Sequence, residues 1–209
     1  DVYKRQVCDY KTGSPNLSLN EIMEGLSLQL ITYLLALSKT KDTKDLLPAA
    51  MMYIYLHGRP KSISVPPNGI PHAKEKENTN GIFLNDPDVL RTLDSQSGTD
   101  DGFIGVSYVK DGSVKKTSPV LTAEEFEALK ALTEKILIRL YSRLESGEIA
   151  IHPVKNGTLS PCSYCPYRSI CRFDPALPEN SFDYISKVSD KTIREKLDEE
   201  MKRNGKENL

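Results

Sequence analysis

Two groups of residues in this 209-residue chain carry side chains that could do chemistry. The first is Asp9-Tyr10-Lys11, followed by Thr12-Gly13. Alternation along a strand puts the Asp9 carboxylate and the Lys11 ammonium on one face, with Cys8 and Tyr10 on the other. A carboxylate can ligate Mg²⁺, and a nearby ammonium can orient a water or balance phosphate charge. An ordinary strand end with a surface ion pair shows the same Asp-x-Lys pattern, so this pair alone selects no function. The second group is Cys162, Cys165 and Cys171, within Pro161-Cys-Ser-Tyr-Cys-Pro-Tyr-Arg-Ser-Ile-Cys171. Thiolates gathered this closely suit zinc or iron, because sulfur is a soft ligand. Three ligands leave a tetrahedral or cubane site one short. Spacing leaves two completions open: a Cys₃His zinc site using His152, or a [4Fe–4S] cluster with a fourth cysteine elsewhere. Cys8 is the remaining cysteine and reads as a core residue pointing into the fold.

Gln29 and Tyr33 lie four apart and share a helix face. Gln29 interrupts the mostly apolar stretch Leu26-Ser-Leu-Gln-Leu-Ile-Thr-Tyr-Leu-Leu35. It faces a polar site or sits half-exposed beside a core tyrosine. Lys135, Arg139 and Arg143 recur every fourth residue, a spacing that reads first as a solvated helix face. His57 and His72 have no ligand spacing around them and read as surface residues. The chain contains no phosphate-binding G-x-x-x-x-G-K-[ST] loop.

These residues must be held by elements the pattern also marks. Val7–Lys11 alternates as a strand, broken by Thr12-Gly-Ser-Pro15. Ser18 and Glu21 have capping-box spacing, and one helix is expected over 19–37 with Leu19, Ile22, Met23, Leu26, Leu30, Tyr33, Leu34 and Leu37 on its apolar side. Residues 49–56 form a short apolar run, expected as a buried strand. Residues 58–100 read as loops with one short helix near 89–93. A hairpin is expected over 102–116 about Asp111-Gly112. Thr122 and Glu125 mark a second capping box, opening a helix that runs to about Ser146 and stops at Gly147. A charged tail, helical over about 191–202, ends the sequence.

Charged residues make up 27% of the chain and the net charge is -1. Nucleic-acid binding would therefore use a local patch rather than global basicity. No apolar run reaches membrane length. A cytoplasmic setting is expected, where clustered cysteines read as metal ligands rather than disulfides.

Taken in order, the motifs become specific. Asp9-Tyr-Lys11 with Thr-Gly, then Gly25-Leu-Ser-Leu-Gln29-Leu-Ile-Thr-Tyr33, then Gly147-Glu-Ile-Ala-Ile-His-Pro153 and Cys162-x₂-Cys165-x₅-Cys171, resemble the RecB-type branch of the PD-(D/E)XK nucleases. The resemblance covers nearly the whole chain. It is strongest to the nuclease domains of bacterial AddAB-type helicase–nucleases.

The resemblance implies an α/β, restriction-endonuclease-like core: a small mixed sheet flanked by helices, closed by a C-terminal cysteine-rich staple. It would span residues 1–175, with 176–209 as tail. It implies that Asp9 binds catalytic Mg²⁺, with the Tyr10 backbone carbonyl as a further contact. Lys11 would position or activate the attacking water, and Gln29 and Tyr33 would support the site and the DNA strand. Cys162, Cys165 and Cys171 would be the last three ligands of a [4Fe–4S] cluster. The family's other acidic ligand and its first cluster cysteine lie upstream of anything in this sequence. The chain is therefore expected to be an N-terminally truncated piece, inactive alone, whose first six residues need not be native. The implied activity is Mg²⁺-dependent 5′→3′ exonuclease cleavage of single-stranded DNA fed by an AddA-like helicase partner. That activity would serve double-strand break repair by homologous recombination. The competing readings are a stand-alone RecB-like iron–sulfur exonuclease and a non-catalytic, zinc-held DNA-binding or scaffold module.

Overall fold

Hydrophobic alternation in the first strand decides which way the chemistry faces. In a computed structural model describing residues 4–13, 16–42, 46–56, 79–99, 102–178 and 180–207, β1 runs Lys4–Lys11. It begins three residues before the expected Val7, because Lys4–Gln6 also pair with the next strand. Val7 is buried, and alternation carries Asp9 and Lys11 to the same side. Cys8 is exposed on the opposite side, as is Tyr10. Cys8 is thus not a core cysteine. The covering of that sheet face stops short of β1, whose outward residues meet solvent.

The sheet has four strands in the order β1-β2-β3-β4, with β2 at Leu47–Tyr55, β3 at Thr79–Leu84 and β4 at Val120–Leu121. β1 and β2 are parallel, β2 and β3 antiparallel, and β3 and β4 parallel. β2 covers almost the range expected for the apolar run 49–56 and is buried through most of its length. β3 falls inside the stretch expected to be loop. Its Thr-Asn-Gly start looks like a turn in sequence, but Gly81 is needed here. A Cβ on it would meet Met52 Cβ at 2.6 Å and the Met51 carbonyl oxygen at 2.8 Å. α3 follows at Pro87–Leu93, capped by Asp86 and opened by proline at its first position. His57 and His72 lie outside the described residues.

The expected single helix over 19–37 is two helices, α1 (Leu19–Met23) and α2 (Gln29–Ser38). Gly25 at φ 85° and Ser27 at φ 51° turn the chain left-handed between them, which no continuous helix accommodates. The Ser18–Glu21 capping box does not form: Ser18 makes no side-chain cap, and Glu21 bonds elsewhere. The hairpin about Asp111-Gly112 is reduced to a single bridge, Tyr108 with Val114. The Thr122–Glu125 box does form, with both reciprocal bonds, and opens α4 (Ala123–Glu145). Gly147 ends it at φ 72°.

Two cores sandwich the sheet. On one face Val7, Met51, Tyr53 and Ile82 pack with Leu30, Ile31 and Leu34 of α2 and with Phe126 and Leu129 of α4. On the other, Ala50, Met52 and Phe83 pack with Leu90, Ile104 and Val106. Each fully buried aliphatic side chain contributes roughly 1.5–3 kcal/mol. The apolar stripe of α4 runs out beyond Ile136: Leu140 and Leu144 are exposed. The cationic face reads as ion pairing, Lys135 with Glu200 and Arg143 with Glu148.

The charged tail forms a longer helix than expected, α6 (Asp190–Glu207). It packs on α4 through buried Ile193 and Leu197, and Arg194 bonds Glu125. Between α4 and α6 the chain makes a small parallel ribbon, β5 (Val154–Lys155) with β6 (Asp183–Tyr184). That ribbon is the base of a hook holding a 3₁₀ turn at Pro161–Ser163 and the short helix α5 (Arg168–Cys171). No helix among the described residues is long and apolar enough to cross a membrane.

Candidate active site

β1 is stiffened by its ladder with β2, so its last residues project from a fixed frame. Asp9 and Lys11 leave the same side of it, and Lys11 Nζ lies 2.6 Å from Asp9 Oδ2. α2 crosses that face, with its first residue, Gln29, brought over the end of β1. Lys11 Nζ donates to Gln29 Oε1 at 2.9 Å, and Gln29 Nε2 donates to the Tyr33 hydroxyl at 3.2 Å. The four side chains singled out by spacing therefore form one connected row, Asp9–Lys11–Gln29–Tyr33. Gln29 is not buried, and Tyr33 is 48% exposed. The row opens to solvent, where a substrate can reach it.

One partner was not visible in the sequence. Tyr53 of β2 stands opposite Asp9 in the ladder and is buried, and its ring centroid is 5.2 Å from Lys11 Nζ. An ammonium held over a ring gains cation–π attraction. Burial pushes the Tyr53 hydroxyl above its usual range, so it stays a neutral phenol. Only the β1–β2 register identifies Tyr53, since it lies 44 positions from Asp9 in sequence. In the next strand Asn80 stands opposite Tyr53. Its amide oxygen accepts from the Leu17 backbone N–H, and its nitrogen donates to Asn16 Oδ1 at 3.2 Å. These bonds pin the far end of the loop that leaves Lys11.

The electrostatics favour a charged lysine. The hydrogen bond to Asp9 raises the Lys11 pKa above its ordinary value, partly opposed by desolvation. At neutral pH Lys11 is thus an ammonium: it can orient a water or a phosphate oxygen but holds no lone pair to take a proton.

Asp9 fits a hard divalent ion. Its Oδ2 is buried and, apart from the Lys11 ammonium, has no hydrogen-bond partner among the described residues. Mg²⁺ needs only one or two carboxylates, the rest of its shell being waters and substrate phosphate oxygens. The cysteines are a different case. Cys162, Cys165 and Cys171 all lie on the hook, unbonded to one another. Among the described residues no three His, Cys, Asp or Glu side chains gather as a metal site. His152 is exposed and its Nδ1 is 3.1 Å from the Ser181 hydroxyl, so the four members of a Cys₃His site are not brought together. Cys8 leaves the outer face of β1.

Comparison with known proteins agrees with this geometry. A family model described as the PD-(D/E)XK nuclease superfamily matches residues 2–172. The chain is similar to proteins named as the B-type component of an ATP-dependent helicase/deoxyribonuclease. It is 33% identical to that of Desulforamulus reducens over 88% of this chain and 16% of the relative. It is 30% identical to that of Clostridium acetobutylicum over 97% of this chain and 18% of the relative. The Bacillus subtilis protein is 30% identical over 93% of this chain and 17% of its own length. The chain spans less than a fifth of the length of these curated relatives. A four-stranded mixed sheet between helices, with an Asp-x-Lys strand end beside a glutamine-bearing helix, is the frame that the family model describes, and the chain belongs to the PD-(D/E)XK nuclease superfamily.

Proposed function

We propose that this chain is the nuclease domain of a helicase–nuclease and hydrolyses phosphodiester bonds of single-stranded DNA with Mg²⁺ at Asp9. The observation that carries the reading is Lys11, bonded at once to Asp9 and to Gln29. The names of the long relatives support the helicase context, and the ordered motifs support 5′→3′ exonuclease action in recombinational break repair.

The residues divide the work. Asp9 would hold the ion, with the Tyr10 carbonyl as a second oxygen. Mg²⁺, when bound, polarises the scissile phosphate and lowers the pKa of water. Lys11 keeps its positive charge beside the phosphate and orients the attacking water by donating a hydrogen bond. Gln29 fixes the ammonium by accepting from it, and Tyr33 fixes the Gln29 amide by accepting from its nitrogen. The exposed Tyr33 ring offers a face on which an unstacked base can rest. Strand and helix, rather than loop, carry all four groups, which keeps the geometry tight.

Cys162, Cys165 and Cys171 we assign to an iron–sulfur cluster with a structural role, on the strength of their spacing. An AddA-like helicase is the partner that would deliver the strand.

The test is cleavage of an end-labelled single strand by a polypeptide of the relatives' full length, with Lys11→Ala beside it. Mg²⁺-dependent cleavage by the parent and its loss in the variant is the expected result. Retained cleavage in Lys11→Ala would remove Lys11 from the mechanism, and no cleavage by the parent would favour a scaffold role.

A further inference from the structure

Glu21 is predicted by spacing to cap a helix, yet it does something else. Its Oε2 accepts from the Ser27 hydroxyl at 2.9 Å, and its backbone oxygen accepts from Leu26 N at 2.8 Å. Ser27 is one of two described non-glycine residues with positive φ, at 51°. A serine in that conformation is costly by about 1 kcal/mol or more unless something holds it. The Glu21 carboxylate is what holds it. Two residues later α2 begins with Gln29, the side chain that fixes Lys11.

The other oxygen of the same carboxylate points away from the site. Glu21 Oε1 accepts from Asn156 Nδ2 at 3.3 Å. Asn156 directly follows β5 and closes a tight turn with Leu159, just before the cysteine run. The neighbouring Asn20 donates to the Ser186 carbonyl at 3.1 Å, just beyond β6. Both strands at the base of the hook are therefore tied to α1 through consecutive residues. A continuous path of bonds runs Asn156–Glu21–Ser27, then two residues of backbone, then Gln29–Lys11–Asp9.

We propose that Glu21 is a positioning residue that couples the cysteine-bearing hook to the Asp9–Lys11–Gln29 row. The inference rests on the nuclease reading for its functional meaning, though the coupling itself is a property of the fold. A hook that shifts on α1 releases one oxygen of Glu21. The carboxylate then reorients, the left-handed turn at Ser27 relaxes, and Gln29 withdraws from Lys11. Holding the hook in place thus holds the catalytic lysine in register.

The experiment follows the Gln29 side-chain amide resonances in the ¹⁵N-labelled 209-residue chain, with thermal melting alongside. Asn156→Ala is expected to move the Gln29 signal in the same direction as Ser27→Ala, with little change in melting. The double variant is expected to move it no further than Ser27→Ala alone, because both act through one carboxylate. Glu21→Gln, which keeps a single acceptor, is expected to give an intermediate shift. If Ser27→Ala fails to fold, Ser27→Gly removes the same bond at a residue that tolerates φ 51°. An unmoved Gln29 signal in Asn156→Ala, or additive shifts in the double variant, would overturn the coupling. Neither result would touch the Lys11→Ala cleavage test, so the two claims fail separately.

Discussion

Lys11 and Gln29 meet at 2.9 Å across a sequence separation of 18 residues. One stands at the end of a strand and the other at the start of a helix, and the left-handed turn at Ser27 lets the helix begin there. The lysine is thereby held between a carboxylate and an amide, with the Tyr53 ring beside it.

Replacing Gln29 with leucine removes the acceptor but keeps the helix. The ammonium then follows Asp9 alone. Misplacement of a reacting group by about 1 Å can cost on the order of 100-fold in rate. Single-turnover cleavage by the full-length Gln29→Leu variant is expected to slow by about that factor, with its melting temperature nearly unchanged. A rate within a few-fold of wild type would show that the amide does not place Lys11.

The Asp9–Lys11 pair also has a signature in pH. Lys11 titrates higher in the folded chain than its unfolded value of about 10.4, first because of its hydrogen bond to Asp9. A raised lysine pKa adds stability that is fully present below about pH 10 and is lost as pH climbs through the folded value. Urea denaturation of wild type and Lys11→Met should therefore differ more at about pH 9 than at about pH 12. A difference that grows with pH would reverse the sign and contradict the pairing.

The sequence marks the row because each member keeps strict local spacing. Period two ties Asp9 to Lys11, and period four ties Gln29 to Tyr33. Both relations survive the break in the helix, since Gln29 and Tyr33 lie on the same side of it. The Thr122–Glu125 box was legible for the same reason: all of its bonds are local. What escaped was non-local. Tyr53 enters through register, Glu21 through contacts with the hook, and β3 through the close approach that only Gly81 permits. Ser18 and Glu21 show how a local pattern misleads when a distant partner competes for the carboxylate.

α6 belongs to the same core as the sheet. Leu197 is fully buried against it, and Glu200, 1% exposed, pairs with Lys135. Leu197→Ala is expected to cost about 2–5 kcal/mol in urea denaturation. A loss under about 0.5 kcal/mol, the size of an ordinary surface change, would make residues 190–207 an accessory tail.

The cysteine assignment is open to direct metal analysis. Anaerobically purified full-length protein is expected to carry iron and acid-labile sulfide, with a visible charge-transfer band. Cys165→Ser should lose both the iron and the band. Stoichiometric zinc in place of iron would contradict the assignment and favour the scaffold reading.

The most direct measurement of the central claim is Mg²⁺-dependent cleavage of a labelled single strand by the full-length Asp9→Asn protein, compared with wild type of equal thermal stability. Asparagine keeps the shape of the side chain but removes the charge that would grip the ion. The account predicts that cleavage falls by at least about 100-fold. Cleavage at the wild-type rate would mean that the row at the end of β1 is not where the bond is broken.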